Sequence, residues 1–235
     1  MLVSKKNGVG RRSFIRGAVV ASCIGGMAAL FVIHGTRPVY SQPVDLSKVT
    51  TAWNKVAPAG DERATLAGGC FWAMQAMFSQ LKGVDRIVAG YAGGSTPNPT
   101  YEQVCTETTG HAETIQIDFN PKVITYNKLL DIYFHSHNPT TLNQQGDDVG
   151  TSYRSVIFYN GPVQLAEAKQ AIKNIEAEHV WDGPVVTQLV PISKFYQAED
   201  YHQNYFVHNP DTGYTAFVVA PKVAKFRAHY KSLIK

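Results

Sequence analysis

A glycine pair, Gly68-Gly69, separates a strand-like run at residues 63–67 from a helix-like run at residues 71–81, and a cysteine follows it directly. Phe71, Met74, Met77, Phe78 and Leu81 recur at helical spacing, so Cys70 is expected at a strand-to-helix corner, at the N-terminus of the helix. Unpaired amides at such an end carry partial positive charge, which favours the thiolate and makes the sulfur nucleophilic. Phe71 and Trp72 are placed to wall an apolar pocket beside it. The corner thus constrains fold and chemistry together, and it points to redox or acyl-transfer work.

The rest of the chain repeats the strand and helix periods. Residues 84–91 read as a strand, and Ile115, Ile117 and Phe119 alternate with polar neighbours, the mark of a half-buried strand ended by Pro121. Residues 126–136 and 162–179 read as helices, the second opened by Pro162, and residues 155–159 and 185–190 as strands. Two long loops, 93–110 and 138–152, are dense in turn residues, and the chain after Tyr201 reads as loop plus a terminal helix. The order predicts an α/β (α+β) fold, a two-layer sandwich with a mixed sheet of the ferredoxin-like, split βαβ type.

Charge separates the two ends of the chain. Residues 1–41 hold six of the 22 basic residues and none of the 18 acidic ones, leaving 16 against 18, a net −2, for the remainder. That balance argues against nucleic acid as a partner. Arg11-Arg12, followed by an apolar run at 17–33, is similar to a Tat export signal, with Val39-Tyr40-Ser41 as a cleavage site. The same run just reaches the length of a membrane anchor, and Val20-Ala21-Ser22-Cys23 looks like a lipoprotein box behind a short apolar stretch. The expected organisation is a signal or anchor at 1–41, a linker at 42–61 and one domain at 62–235. The expected location is exported, periplasmic or membrane-anchored facing the periplasm.

Export leaves Cys70 and Cys105 in the mature part, and a disulfide between them is the ordinary reading for an exported protein. Disulfide scaffolds are small and cysteine-dense, however, and no CxxC occurs here.

Six strings carry a resemblance. Gly69-Cys-Phe-Trp72, Gly90-Tyr-Ala-Gly-Gly94, Asn98-Pro-Thr-Tyr101, Gly110-His-Ala-Glu113, Gly150-Thr-Ser-Tyr-Arg154 and Ala198-Glu-Asp-Tyr-His-Gln203 occur in one order across about residues 62–228. Together they resemble the A-type peptide methionine sulfoxide reductases. The resemblance implies a repair enzyme that reduces methionine-S-sulfoxide in oxidised proteins or peptides. It assigns Cys70 the attack on the sulfoxide sulfur and Glu113 the acid that protonates its oxygen. Tyr101 and Tyr153 match phenols that hydrogen-bond that oxygen, Asp148 an acid that holds the network, and Phe71 and Trp72 the cage for the S-methyl group. The product on Cys70 is a sulfenic acid, formed with no metal, flavin or nicotinamide cofactor.

The chain departs from the family in two places. No cysteine follows Cys105, and Gly213-Tyr214-Thr215 stands where relatives carry a resolving cysteine after a tyrosine. A one-cysteine enzyme is therefore expected, recycled by a thioredoxin-like, glutaredoxin-like or small-thiol reductant, with Cys105 the only internal alternative. Ala73-Met74-Gln75 also replaces the family's usual Gly-x-Glu. A monomer is expected. Two rival functions stay open on the residues alone. One is a cysteine hydrolase using His111 or His202; the other is a peptide-binding module with an aromatic pocket. His111 itself reads as loop support.

Overall fold

The structure is a computed structural model and describes residues 57–235. The expected export segment and most of the expected linker lie outside the described residues. The chain runs β1 (Glu62–Ala67), α1 (Phe71–Phe78), β2 (Val84–Ala92), α2 (Tyr101–Cys105), β3 (Ala112–Phe119) and α3 (Tyr126–Ser136). It continues through β4 (Gln144–Gln145), β5 (Asp148–Val149), β6 (Val156–Tyr159), α4 (Gly161–Glu178), β7 (Gln188–Pro191), β8 (Phe195–Gln197), α5 (Tyr205–His208) and α6 (Ala220–His229). Tight 3-10 turns at Thr151–Tyr153 and Asp200–His202 and a π-helical stretch at Thr215–Val219 connect them.

Six strands form one mixed sheet in the order β7-β6-β1-β3-β2-β8. Every neighbouring pair is antiparallel except β6 and β7, which run parallel. The expected α+β sandwich is therefore present. Strand β3 occupies the interior of the sheet, and alternation sends Glu113, Ile115, Ile117 and Phe119 to one face. These isoleucines join Leu66, Ile87, Met74, Leu129 and Tyr133 in the main core, between sheet and helices.

The polar face of β3 is buried too, which corrects the half-buried strand expected at 115–119. With β1 and β2 on either side, their side chains cover it. Arg63 and Arg86 both donate to Asp118 through their Nε atoms, at 2.6 and 2.7 Å, and Gln116 donates to the Thr65 hydroxyl.

Other boundaries shift for local reasons. Helix α1 stops at Phe78, short of residue 81, because Gln80 and Leu81 turn back on Met77 and Phe78 with i→i+3 bonds. Strand β7 begins at Gln188 instead of 185 because the Val186 amide is spent on the Pro139 carbonyl. Both long loops carry structure that periodicity did not reveal: α2 in the first, and the β4–β5 hairpin and a 3-10 turn in the second. The chain after Tyr201 is more helical than expected, with α5 and the π-helical stretch ahead of α6.

Candidate active site

The β1–α1 corner presses on the second loop. Gly69 has φ +89°, and a β-carbon there would lie 2.6 Å from Cγ of Gln145, so both conformation and space require glycine. Cys70, at the N-cap of α1, is 6% exposed. The next amide, of Phe71, donates to Oε2 of Glu113 at 2.9 Å. Glu113 continues the inward alternation of β3 one step before Ile115, so a carboxyl occupies a core position facing the helix start.

Burial dominates the electrostatics. Glu113 is pushed up to about 8, first by desolvation, then by the charges of Asp148 and Glu107, against the pull of the Phe71 amide. Asp148 is raised by burial, with the Tyr214 hydrogen bond and the Lys222 charge acting the other way. The Cys70 thiol is also raised, by desolvation and then by the Glu113 charge, although the Tyr214 hydroxyl and the Trp72 amide favour its thiolate. This corrects the expectation of a ready thiolate: at this helix N-terminus, loss of water outweighs the amides.

Tyr214 belongs to the site and was not singled out as a site residue from sequence. Its hydroxyl donates to Oδ2 of Asp148 at 2.7 Å and contacts the Cys70 sulfur. Phe71 and Trp72, which follow Cys70 in the chain, have ring centroids 6.3 Å apart. The Tyr101 ring lies 4.4 Å from that of His202, which in turn is 5.1 Å from Phe71. Glu199 accepts from the Tyr101 amide at 2.9 Å and from the Tyr91 hydroxyl at 3.0 Å.

Tyr153 ends a 3-10 turn that packs against β3, the strand carrying Glu113. Glu107 holds that turn, accepting from the Thr151 hydroxyl at 2.6 Å and from the Ser152 amide and hydroxyl at 2.9 and 2.6 Å. A β-carbon at Gly150 would fall 2.5 Å from this carboxylate. Glu107 thus fastens the first loop to the second, a role with no local sequence signal.

The two candidate histidines bond other groups. His111 accepts from the Gly94 amide through Nδ1 at 3.1 Å and donates to the Thr96 carbonyl through Nε2 at 2.8 Å. His202 accepts the Trp72 indole N–H through Nδ1 at 3.0 Å. The hydrolase reading therefore lacks its base. No disulfide joins Cys70 and Cys105, and Cys105 is half-buried at the end of α2. Among the described residues, the one group with metal-ligand spacing, Asp131, His135 and Glu178, lies on α3 and α4 and includes none of the residues assigned to the site.

The family profile described as "Peptide methionine sulfoxide reductase" matches residues 62–234. A protein of Polynucleobacter asymbioticus named peptide methionine sulfoxide reductase MsrA is 55% identical over 173 residues, covering 74% of this chain and 91% of its own. Among solved structures, the reduced form of Mxr1 from Saccharomyces cerevisiae matches with a TM-score of 0.63 at 38% identity, over 67% of this chain and 91% of that one. Methionine sulfoxide reductase A of Corynebacterium diphtheriae matches with a TM-score of 0.58 at 28% identity, over 72% and 92%.

Proposed function

Because this chain belongs to the peptide methionine sulfoxide reductase family and reduces methionine sulfoxide in the repair of oxidised proteins, we propose that Cys70 is its reducing thiol and Glu113 the acid. The substrate is the S-epimer, in proteins and as the free amino acid, since each epimer has its own enzyme type. Phe71 and Trp72 hold the S-methyl group. Tyr101 and Tyr153 hydrogen-bond the sulfoxide oxygen, and Asp148 holds this network through Tyr214.

The electrons balance on sulfur alone. Cys70 attacks the sulfoxide sulfur, an S–S bond forms and the S–O bond breaks. The oxygen leaves as water, carrying the thiol proton and the proton of Glu113. A second water splits the S–S bond and returns one proton to Glu113. Cys70 ends as a sulfenic acid, oxidised by two electrons, and the substrate as a thioether, reduced by two. Two outside thiols then restore Cys70, giving a disulfide and water. These come from a thioredoxin-like, glutaredoxin-like or small-thiol reductant, a reading supported by Thr215 after Tyr214. The enzyme works as an exported monomer, a reading supported for export by Arg11-Arg12 and the apolar run after it.

One observation carries the mechanism: the Glu113 carboxyl is buried at the start of α1 and keeps its proton to about pH 8. An acid toward a sulfoxide oxygen has to be protonated at working pH. The test is single-turnover conversion of a methionine-S-sulfoxide peptide without reductant. One equivalent of methionine is expected from the wild type and from Cys105→Ser, and none from Cys70→Ser. Unchanged sulfoxide with bound peptide would instead make the protein a peptide-binding module.

A further inference from the structure

His202 is 1% exposed, with its ring packed among Phe71, Trp72, Tyr101 and Tyr201. Its Nδ1 accepts from the Trp72 indole, so the proton of the neutral ring is on Nε2. That Nε2–H is buried without a hydrogen-bond partner among the described residues. The acid beside it is Glu199, whose Oε2 lies 3.8 Å away. The same carboxylate accepts from the Tyr101 amide and the Tyr91 hydroxyl. A face of the Trp72 indole stacks on Tyr205 at 3.8 Å and 10°.

We propose that Glu199 and His202 are positioning residues for sulfoxide reduction. The Glu199 charge, 3.8 Å from Nε2, favours the Nε2–H tautomer of His202 that the indole donor requires, and His202 Nδ1 fixes the Trp72 indole, while the same carboxylate fixes Tyr101. One acid thereby sets the wall that takes the methyl group and the phenol that takes the oxygen. This rests on the reading of Trp72 and Tyr101 as substrate contacts.

Protonation of His202 breaks the arrangement, because Nδ1 becomes a donor facing the indole N–H. Burial resists that step and holds the ring neutral down to about pH 4, against the Glu199 and Glu102 charges that favour the cation. These two carboxylates are the charged groups acting on His202, and its ring neighbours Phe71, Trp72, Tyr101 and Tyr201 are uncharged at neutral pH.

Full-length protein tests the proposal. His202→Leu removes the acceptor; His202→Asn offers a carbonyl oxygen at the Nδ1 position and does not titrate. KM for a methionine-S-sulfoxide peptide is expected to rise roughly tenfold in His202→Leu, with kcat changed less than about threefold, and to return most of the way in His202→Asn. In a Trp72→Phe background, His202→Leu is expected to add less than about twofold, since its effect passes through the indole. The Trp72 indole N–H resonance is expected to shift in both single variants and, in the wild type, to titrate near pH 4. Equal losses in the two single variants, additive losses in the double variant, or an unmoved indole resonance would overturn the proposal. If His202→Leu does not fold, the indole resonance and KM of His202→Asn decide it alone. Loss of all turnover in the wild type would overturn the Cys70 reading instead, and would leave the indole resonance shifts intact.

Discussion

Glu113 combines an acceptor role with a raised pKa. Its Oε2 takes the Phe71 amide, which favours the ionised form, yet burial wins and the group holds its proton at neutral pH. The folded value, about 8, lies above the ordinary 4.5, so an activity that needs the proton is full at low pH and is lost as pH rises through about 8. Glu113→Gln keeps the shape and removes the proton; single-turnover rates at pH 7 are expected to fall on the order of 100-fold or more, the usual contribution of a positioned acid. The wild-type rate is expected to drop above pH 8 while the residual rate of Glu113→Gln lacks that limb. A wild-type profile flat from pH 6 to 9 would remove Glu113 from the acid role. Part of this was legible: the alternation of Ile115, Ile117 and Phe119, extended back two residues, puts Glu113 on the core face. Tyr214, Glu107 and Glu199 were not, because their partners lie 66, 44 or 45 and 98 or 108 positions away in the chain.

Among the elements, the two long loops show what periodicity cannot see. Helix α2 has five residues, too few for an apolar stripe, but its start was written in Thr100-x-x-Gln103, a capping box with both reciprocal bonds formed. The β4–β5 hairpin and the turn after it have no such signature, and contacts with Glu107 and Gln145 hold them. Glu107 is therefore the element-scale test. Glu107→Ala strands the Thr151 and Ser152 donors, and its cost is expected to be about 2 kcal/mol, in the range for hydrogen bonds to a charged group. Because the released turn carries Tyr153, kcat is expected to fall roughly tenfold as well. Urea unfolding and steady-state kinetics on the variant measure both. A stability loss with unaltered kcat would separate the Thr151–Tyr153 turn from catalysis.

For the whole molecule, strand and helix types were readable but the sheet order was not, since β8 joins β2 from more than 100 residues away through pairs such as Tyr91 with Tyr196. That assembly buries titratable groups of opposite tendency, and together they shape stability against pH. His137 donates to the Tyr133 carbonyl and accepts from Ser155, and burial lowers it to about 4; His202 is lowered likewise. Depressed histidines contribute stability that is complete above the ordinary 6.5 and lost as pH falls toward 4. Glu113 acts in reverse: its contribution is complete below 4.5 and lost as pH rises to about 8. Below pH 6.5 the two histidines outweigh Glu113, with the raised Asp148 offsetting part of the difference, and between 6.5 and 8 Glu113 acts against no histidine. Above that, Cys70, Tyr91, Tyr133 and Tyr214 are all raised by burial and hold protons that the unfolded chain releases, so the loss steepens. Stability should therefore peak near pH 6.5. Urea midpoints measured from pH 4 to 10 are expected to trace that dome, and Glu113→Gln to flatten its slope between 6.5 and 8. A wild-type midpoint that does not fall through that interval, with Glu113→Gln tracing the same curve, would mean Glu113 takes up no proton on folding, and the acid assigned to the sulfoxide oxygen would lose its role.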